Sequence, residues 1–274
     1  MKKGFLTLVL GVFFLGLFTT VYAQDFSCSD VNEIPQIECE ALIVLYNNTN
    51  GEGWTTKTNW LVTDTPSNWY GVTVQSGHVT VVDLSSNELS GIIPLELENL
   101  GNLQQLILGF NKLSGSIPSY IGNLSNLNRL ILADNQLTGS IPPELGNLTN
   151  LTWLILAGNQ LSGTIPPQLG NLIKLERLEL AVNKLSGSIP PELGNLTNLT
   201  WLILSHNYLS GDIPPELENL TKLVLLMLDY NYLTVPDDYP DPENSFYNFL
   251  FIRNPSWDTT QMEMLKVFLP LLVR

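Results

Sequence analysis

The chain has 274 residues, with 12 Lys and Arg against 26 Asp and Glu, for a net charge of −14. Charged residues make up only 14%, below the ~25% of an ordinary soluble domain, so uncharged Asn, Ser, Thr, Gln and Gly must supply most of the polar surface. That balance excludes nucleic acid as a partner, since each phosphate contact calls for a Lys or Arg, and two His and two Cys leave little room for a metal site or a His-dependent active site.

Lys2 and Lys3 open the chain, an apolar run follows from Phe5 to Phe18, and Val21-Tyr22-Ala23 ends it. This is the layout of a secretory signal peptide over 1–23, cut between Ala23 and Gln24. The alternative is an uncleaved anchor, but the run is shorter than the ~20 residues that a spanning helix needs. Export makes a disulfide permissible. Cys28 and Cys39 are the only candidates, and a bridge between them is worth about 2–3 kcal/mol by loop entropy. Two buried or reactive thiols are the alternative. Both cysteines fall in a segment, 24–78, that precedes the repeats.

From Val79 the chain repeats. Asn87, Asn111, Asn135, Asn159, Asn183, Asn207 and Asn231 recur every 24 residues without an insertion, in a unit reading LxxLxLxxNxLxGxIPxxLxxLxx. A fixed period of this length means a solenoid. Seven units span 79–235, the last incomplete. Leu at five and three residues before the Asn (Val82 in the first unit) alternates with outward residues, which is the period of a strand buried on one face. Stacked turns then form a parallel sheet at ~4.8 Å per strand. Each Asn falls where the chain bends inward, so its amide must find partners on loop backbone of its own and adjacent turns. Gly at four residues after the Asn implies a backbone that a Cβ would obstruct. The Pro that follows stiffens the return, where short 3-10 or extended pieces are expected rather than a long helix.

With these residues in view, the unit resembles the plant-type extracellular leucine-rich repeat, whose LxGxIP segment marks that subclass. The preceding IECEALIVLYNNTNGEGW, NWYGVTV and HVTVVDLSSNELSG are similar to the N-terminal cap of that family. The resemblance implies an α/β, β-rich solenoid with a parallel sheet on its concave face and short 3-10 or extended segments on its convex side. The family's second cysteine pair is missing here, with Ser67 and Val74 in its place. Trp54, Trp60 and Trp69 are expected in the core of the cap. Residues 236–274 are expected to cover the last open turn. Within them Asp237, Asp238, Asp241 and Glu243 read as a solvated loop, with calcium binding as the alternative, and KVFLPLLVR is too short to span a membrane.

Outward strand positions align into columns. Six residues before the Asn stand Val81, Gln105, Arg129, Trp153, Arg177, Trp201 and Leu225; four before stand Asp83, Ile107, Ile131, Ile155, Glu179, Ile203 and Met227. One before, the column holds Ser86, Phe110, Asp134, Gly158, Val182, His206 and Tyr230. The Leu core does not need these side chains, and Trp, Tyr and Arg are the residues enriched in binding hot spots. The candidate partner-binding set is therefore Arg129, Ile131, Trp153, Ile155, Arg177, Glu179, Trp201, Ile203, His206 and Tyr230. The competing reading is a ladder stacked on itself, with Arg and Trp in cation–π pairs and Arg177 on Glu179.

The resemblance implies a secreted or cell-surface module, periplasmic if the source is bacterial, that binds an extracellular protein or peptide. A surface polysaccharide is the alternative partner, with the Trp residues as stacking platforms. Ice binding is a third reading, from the hydroxyl columns Ser90, Ser114, Thr138, Ser162, Ser186, Ser210 and Ser116, Ser140, Thr164, Ser188. No catalytic fingerprint appears, and Ser205 beside His206 is no triad because strand neighbours face opposite ways. No cofactor, metal or membrane-spanning segment is expected in the mature chain.

Overall fold

In the computed structural model residues 26–234 are described, so the leader, the acidic group near Asp237 and the closing apolar stretch lie outside the described residues. Each repeat begins with a strand of three residues: Gln105–Ile107, Arg129–Ile131, Trp153–Ile155, Arg177–Glu179, Trp201–Ile203 and Leu225–Met227. The middle residue of each is a fully buried Leu, and the two flanking residues point to the concave side. These strands pair in parallel with a register of one whole repeat, Arg129 on Trp153, Trp153 on Arg177 and Trp201 on Leu225. His78–Asp83 joins them by pairing with Gln105–Ile107. Val72–Gln75 closes the near edge antiparallel to it, which completes eight strands.

The asparagines hold adjacent turns together. Asn159 Nδ2 donates to Leu156 O of its own turn at 3.1 Å and to Leu132 O of the turn before at 3.0 Å. Its Oδ1 accepts from Leu137 N at 3.0 Å, again one turn back. Asn135, Asn183, Asn207 and Asn231 make the same set. A buried amide is thereby satisfied on both its donor and acceptor atoms. Asn87 has no earlier repeat to bind, so the cap supplies a substitute: Thr56 N donates to its Oδ1 and its Nδ2 donates to Thr56 O at 2.9 Å.

Beyond the Asn the chain runs extended, and parts of it form a second parallel sheet of Ser162–Gly163, Lys184–Gly187, Tyr208–Asp212 and Tyr232–Thr234. The sequence suggested an obstruction at the Gly that stands four residues after the Asn in six of the seven units. The structure bears this out at Gly91, where a Cβ would stand 2.1 Å from Asn48 O, and adds a second reason at all six: Gly163 and Gly211 have room for a Cβ but, like the others, sit at positive φ, +79° and +81°, a left-handed backbone that favours glycine. Obstruction also governs a glycine on the convex side. In the 3-10 turn Pro143–Asn147, a Cβ on Gly146 would stand 2.4 Å from Gln168 O of the next turn. Gly122, Gly170 and Gly194 meet the same wall. The convex turns therefore stack closely only where this position carries no side chain.

The cap is built around the helix Gln36–Asn48, which buries Cys39, Leu42, Leu45 and Tyr46. The Cys28–Cys39 disulfide ties the preceding 3-10 turn to it. Trp54, Trp60 and Trp69 are buried as expected, in a chain of ring contacts about 5 Å apart that starts at Tyr46. Each indole N–H finds a backbone carbonyl, at Thr49, Tyr70 and Thr63. Glu38, also buried, accepts from Val79 N at 2.7 Å and contacts His78 Nδ1 at 2.6 Å, which anchors the helix to the first concave strand. Where the family's second cysteine pair is missing, Ser67 N donates to Glu33 Oε2 at 2.7 Å.

Because each rung serves two turns at once, Asn159→Ala leaves the buried Leu137 N without its acceptor and strips one of two amide donors from each of Leu132 O and Leu156 O, which keep those of Asn135 and Asn183. The expected loss is about 3 kcal/mol, read as a lower urea midpoint at unchanged slope.

Candidate binding face on the concave sheet

Strand alternation places three columns on the concave side. In the first, the Arg129 guanidinium lies 4.3 Å from the Trp153 ring centroid, and Arg177 lies 5.4 Å from it on the next strand. Arg177 also stands 4.2 Å from Trp201, and its Nε donates to Glu179 Oε1. The self-stacking reading of this column is therefore correct as geometry. Both faces of Trp153 are flanked by guanidinium groups, so its edge is what reaches solvent. The four side chains remain half-buried rather than sealed.

The second column, Ile107, Ile131, Ile155, Glu179, Ile203 and Met227, is also half-buried, with one correction. Ile155 is only 7% exposed, because its neighbours on both sides cover it, and it offers little area to a partner. A third column was not singled out from the sequence: Ser85, Gly109, Ala133, Ala157, Ala181, Ser205 and Asp229. Its residues are small down to Ser205, and it forms a shallow floor beside the isoleucines.

The column immediately before the Asn lies at the rim, beyond the ends of the strands. All its members take left-handed backbone, with φ +57° at Phe110, +54° at Val182, +56° at His206 and +56° at Tyr230. That turn swings their side chains outward, and Phe110, Val182 and Tyr230 are 62%, 55% and 41% exposed. His206 stacks on Tyr230 at 4.1 Å, so these two predicted site residues meet each other at the rim while Arg129, Ile131, Trp153, Arg177, Glu179, Trp201 and Ile203 share the sheet. Phe, Val, His and Tyr conceal this backbone; the one clue lay in Asp134 and Gly158, which tolerate it. Ser205 is buried and His206 exposed, with no contact between the two side chains. Tyr208 and Tyr232 stack separately at 6.2 Å, on the second sheet. Among the described residues no three of His, Cys, Asp or Glu stand together as metal ligands, and no helix is long and apolar enough to cross a membrane. A groove lined by Ile92, Leu95, Tyr120, Ser140 and Pro143 lies on the return side and does not border these columns.

Residues 75–207 match the model of a leucine-rich repeat region, and 198–220 match that of a leucine-rich repeat. A structure of the BIR3–SERK2 complex from Arabidopsis thaliana is 35% identical over 64% of this chain and 95% of that chain, with a TM-score of 0.54. The chain belongs to the leucine-rich-repeat family, in its plant-type form. The ectodomain of the plant membrane receptor kinase GASSHO1/SCHENGEN3 from Arabidopsis thaliana, solved in complex with Casparian strip integrity factor 2, is 36% identical with a TM-score of 0.69. The match covers 73% of this leucine-rich-repeat chain, which spans only 25% of that receptor chain. A plant ice-binding protein is 28% identical over 74% of this chain and 73% of that one, at a TM-score of 0.67. No curated protein matches.

Val182 is the outlier of this leucine-rich-repeat face. A β-branched residue at φ +54° is strained by about 1–3 kcal/mol. Val182→Asn should raise stability by about 1 kcal/mol in urea unfolding, since Asn tolerates that backbone.

Proposed function

We propose that this chain is a non-catalytic module, exported from the cell, that receives a protein or peptide partner on its concave face. One observation carries the reading. Arg129, Trp153, Arg177 and Trp201 form a half-exposed run on four adjacent strands, with Ile131 and Ile203 beside it, although the Leu core and the Asn ladder are complete without them. Contiguous apolar surface of this kind marks a contact site, and the Trp and Arg content is that of a hot spot. The receptor ectodomain solved with Casparian strip integrity factor 2 supports the same use of the fold. So do the leader pattern and the disulfide, which fit an exported chain.

The geometry suggests how such a face works. Stacking on Trp153 and Trp201 holds the Arg129 and Arg177 guanidiniums in place, so little side-chain entropy is lost on binding. Burial of Trp201, Ile131 and Ile203 supplies the apolar contribution. Arg129, which has no ion pair among the described residues, and the Arg177–Glu179 pair set register. A polysaccharide fits less well, because a sugar ring needs an open aromatic face and both faces of Trp153 are taken.

Trp153→Ala and Trp201→Ala test it by capture of partners from the native extracellular milieu. Each should weaken capture by about 30-fold or more, a hot-spot loss, while melting curves stay nearly unmoved. Undiminished capture by both variants would overturn the concave-face assignment.

A second reading, ice binding, has one observation in its favour besides the similarity to a plant ice-binding protein. Ser116, Ser140, Thr164 and Ser188 are exposed on four successive turns. The companion column weighs against it: Thr138, Ser162 and Ser186 direct their hydroxyls to Gly carbonyls one turn back. Ice crystals grown with the purified chain should keep their normal disc shape; faceted growth that Thr164→Tyr abolishes would establish this reading instead.

A further inference from the structure

The floor of small residues on the concave side ends in a charge. Gly109, Ala133, Ala157, Ala181 and Ser205 lead to Asp229 in the last described turn, and strand alternation directs all of these side chains to the same side. Asp229 is only 7% exposed, and its Oδ1 is buried with no hydrogen-bond partner among the described residues. Its backbone carbonyl, by contrast, is satisfied by His206 N at 3.0 Å. A buried carboxylate oxygen without a donor is costly. Alanine, which stands at this position three times, would avoid that cost.

The described cations are engaged elsewhere. Lys57 and Lys112 pair with Glu52 and Glu88, Arg177 with Glu179, and Arg129 lies over Trp153. Lys174, Lys184 and Lys222 bond to Asn150, Gln160 and Asn198. The donor that Asp229 lacks must therefore come from outside the described residues. The next residue, Tyr230, stacks on His206 at the rim and leaves one outer aromatic face to a cation, and the net charge of −14 draws cations to the chain at long range.

We propose that Asp229 is a cation subsite at one end of the concave face, taking the ammonium or guanidinium group of a bound peptide. The inference rests on the peptide-binding reading above and adds the chemistry of the ligand. The peptide runs along the solenoid, its cation at Asp229 and its aliphatic side chains over Met227, Ile203 and Ile131. From Asp229 back to the Ile131 turn is four strand spacings, about 19 Å, which an extended peptide of about six residues covers. The cation is either a Lys or Arg side chain or a free N-terminus; both present N–H donors to Oδ1. Entry needs a shift of surface side chains, where Tyr230 is already 41% exposed.

The test is to select a displayed random decapeptide library against the chain and to measure the selected sequences as synthetic peptides by titration calorimetry. Each is made with a free and an acetylated N-terminus, and with each Lys or Arg replaced by norleucine. The expected result is that one of these neutralisations weakens binding about tenfold or more; acetylation marks a terminal ammonium and norleucine marks a side chain. On Asp229→Ala the parent peptide should bind as weakly as its neutralised form, with no additive loss, while the melting temperature of the variant stays level or rises. A lower melting temperature with unchanged peptide affinity would make Asp229 structural and overturn the subsite. Peptides that bind well but ignore neutralisation would overturn the subsite and leave the peptide-binding reading standing. Failure to select any peptide would count against that reading itself, and the subsite would fall with it.

Discussion

Everything in this structure depends on buried backbone groups at one inward bend finding partners every 24 residues. Where the chain leaves the concave strand, pairing with the next turn's backbone leaves Leu137 N, Leu132 O and Leu156 O to be satisfied by side chains. The Asn side chain solves this by accepting an N–H of the preceding turn and donating to carbonyls of both turns. Since the bridge spans two turns, it also sets their offset, so each turn repeats its neighbour by nearly the same displacement. The fully buried Leu residues give the stack its apolar free energy, but leucine is indifferent to register. The amide is not. Thr56 shows the constraint at its limit: where no repeat precedes Asn87, the cap places a backbone N–H and carbonyl on that amide.

Fixed register turns a sequence column into a physical stripe. Residues 24 apart come within one strand spacing of each other, and Arg129, Trp153, Arg177 and Trp201 are brought into ring-to-guanidinium contact. Stacking and partner binding are not rivals on such a face. The contacts within the stripe restrict its rotamers in the free protein, and a partner then meets an ordered surface. They also decide which chemistry it presents, namely aromatic edges, isoleucine methyls and held guanidiniums.

The two ends of the sheet are handled differently. At the start the helix Gln36–Asn48 is joined to the strands through the carboxylate of Glu38, which is buried but has donors in Val79 N and the His78 ring. At the last described turn Asp229 is buried to a similar degree, yet its Oδ1 has no donor. Two buried acids on one solenoid thus differ in whether the described residues complete their hydrogen bonds. The first is part of the scaffold, and the second is the acid that the proposed cation subsite uses.

Much of this was legible in the residues. The unbroken 24-residue spacing of Asn87 to Asn231 determined the solenoid, the inward leucines and the amide ladder, because periodicity and the need to satisfy a buried amide allow few alternatives. The Trp cluster of the cap and the Cys28–Cys39 bridge were readable for the same local reasons. Tertiary structure alone decided the rest. The left-handed turn that throws Phe110, Val182, His206 and Tyr230 to the rim opposes their intrinsic preference and is imposed by the bend into the ladder. The requirement for glycine at Gly146 comes from Gln168 O, a carbonyl 22 positions further along the chain. The coverage of Ile155 and the isolation of the Asp229 carboxylate depend in the same way on what neighbouring turns bring near, which no single repeat encodes.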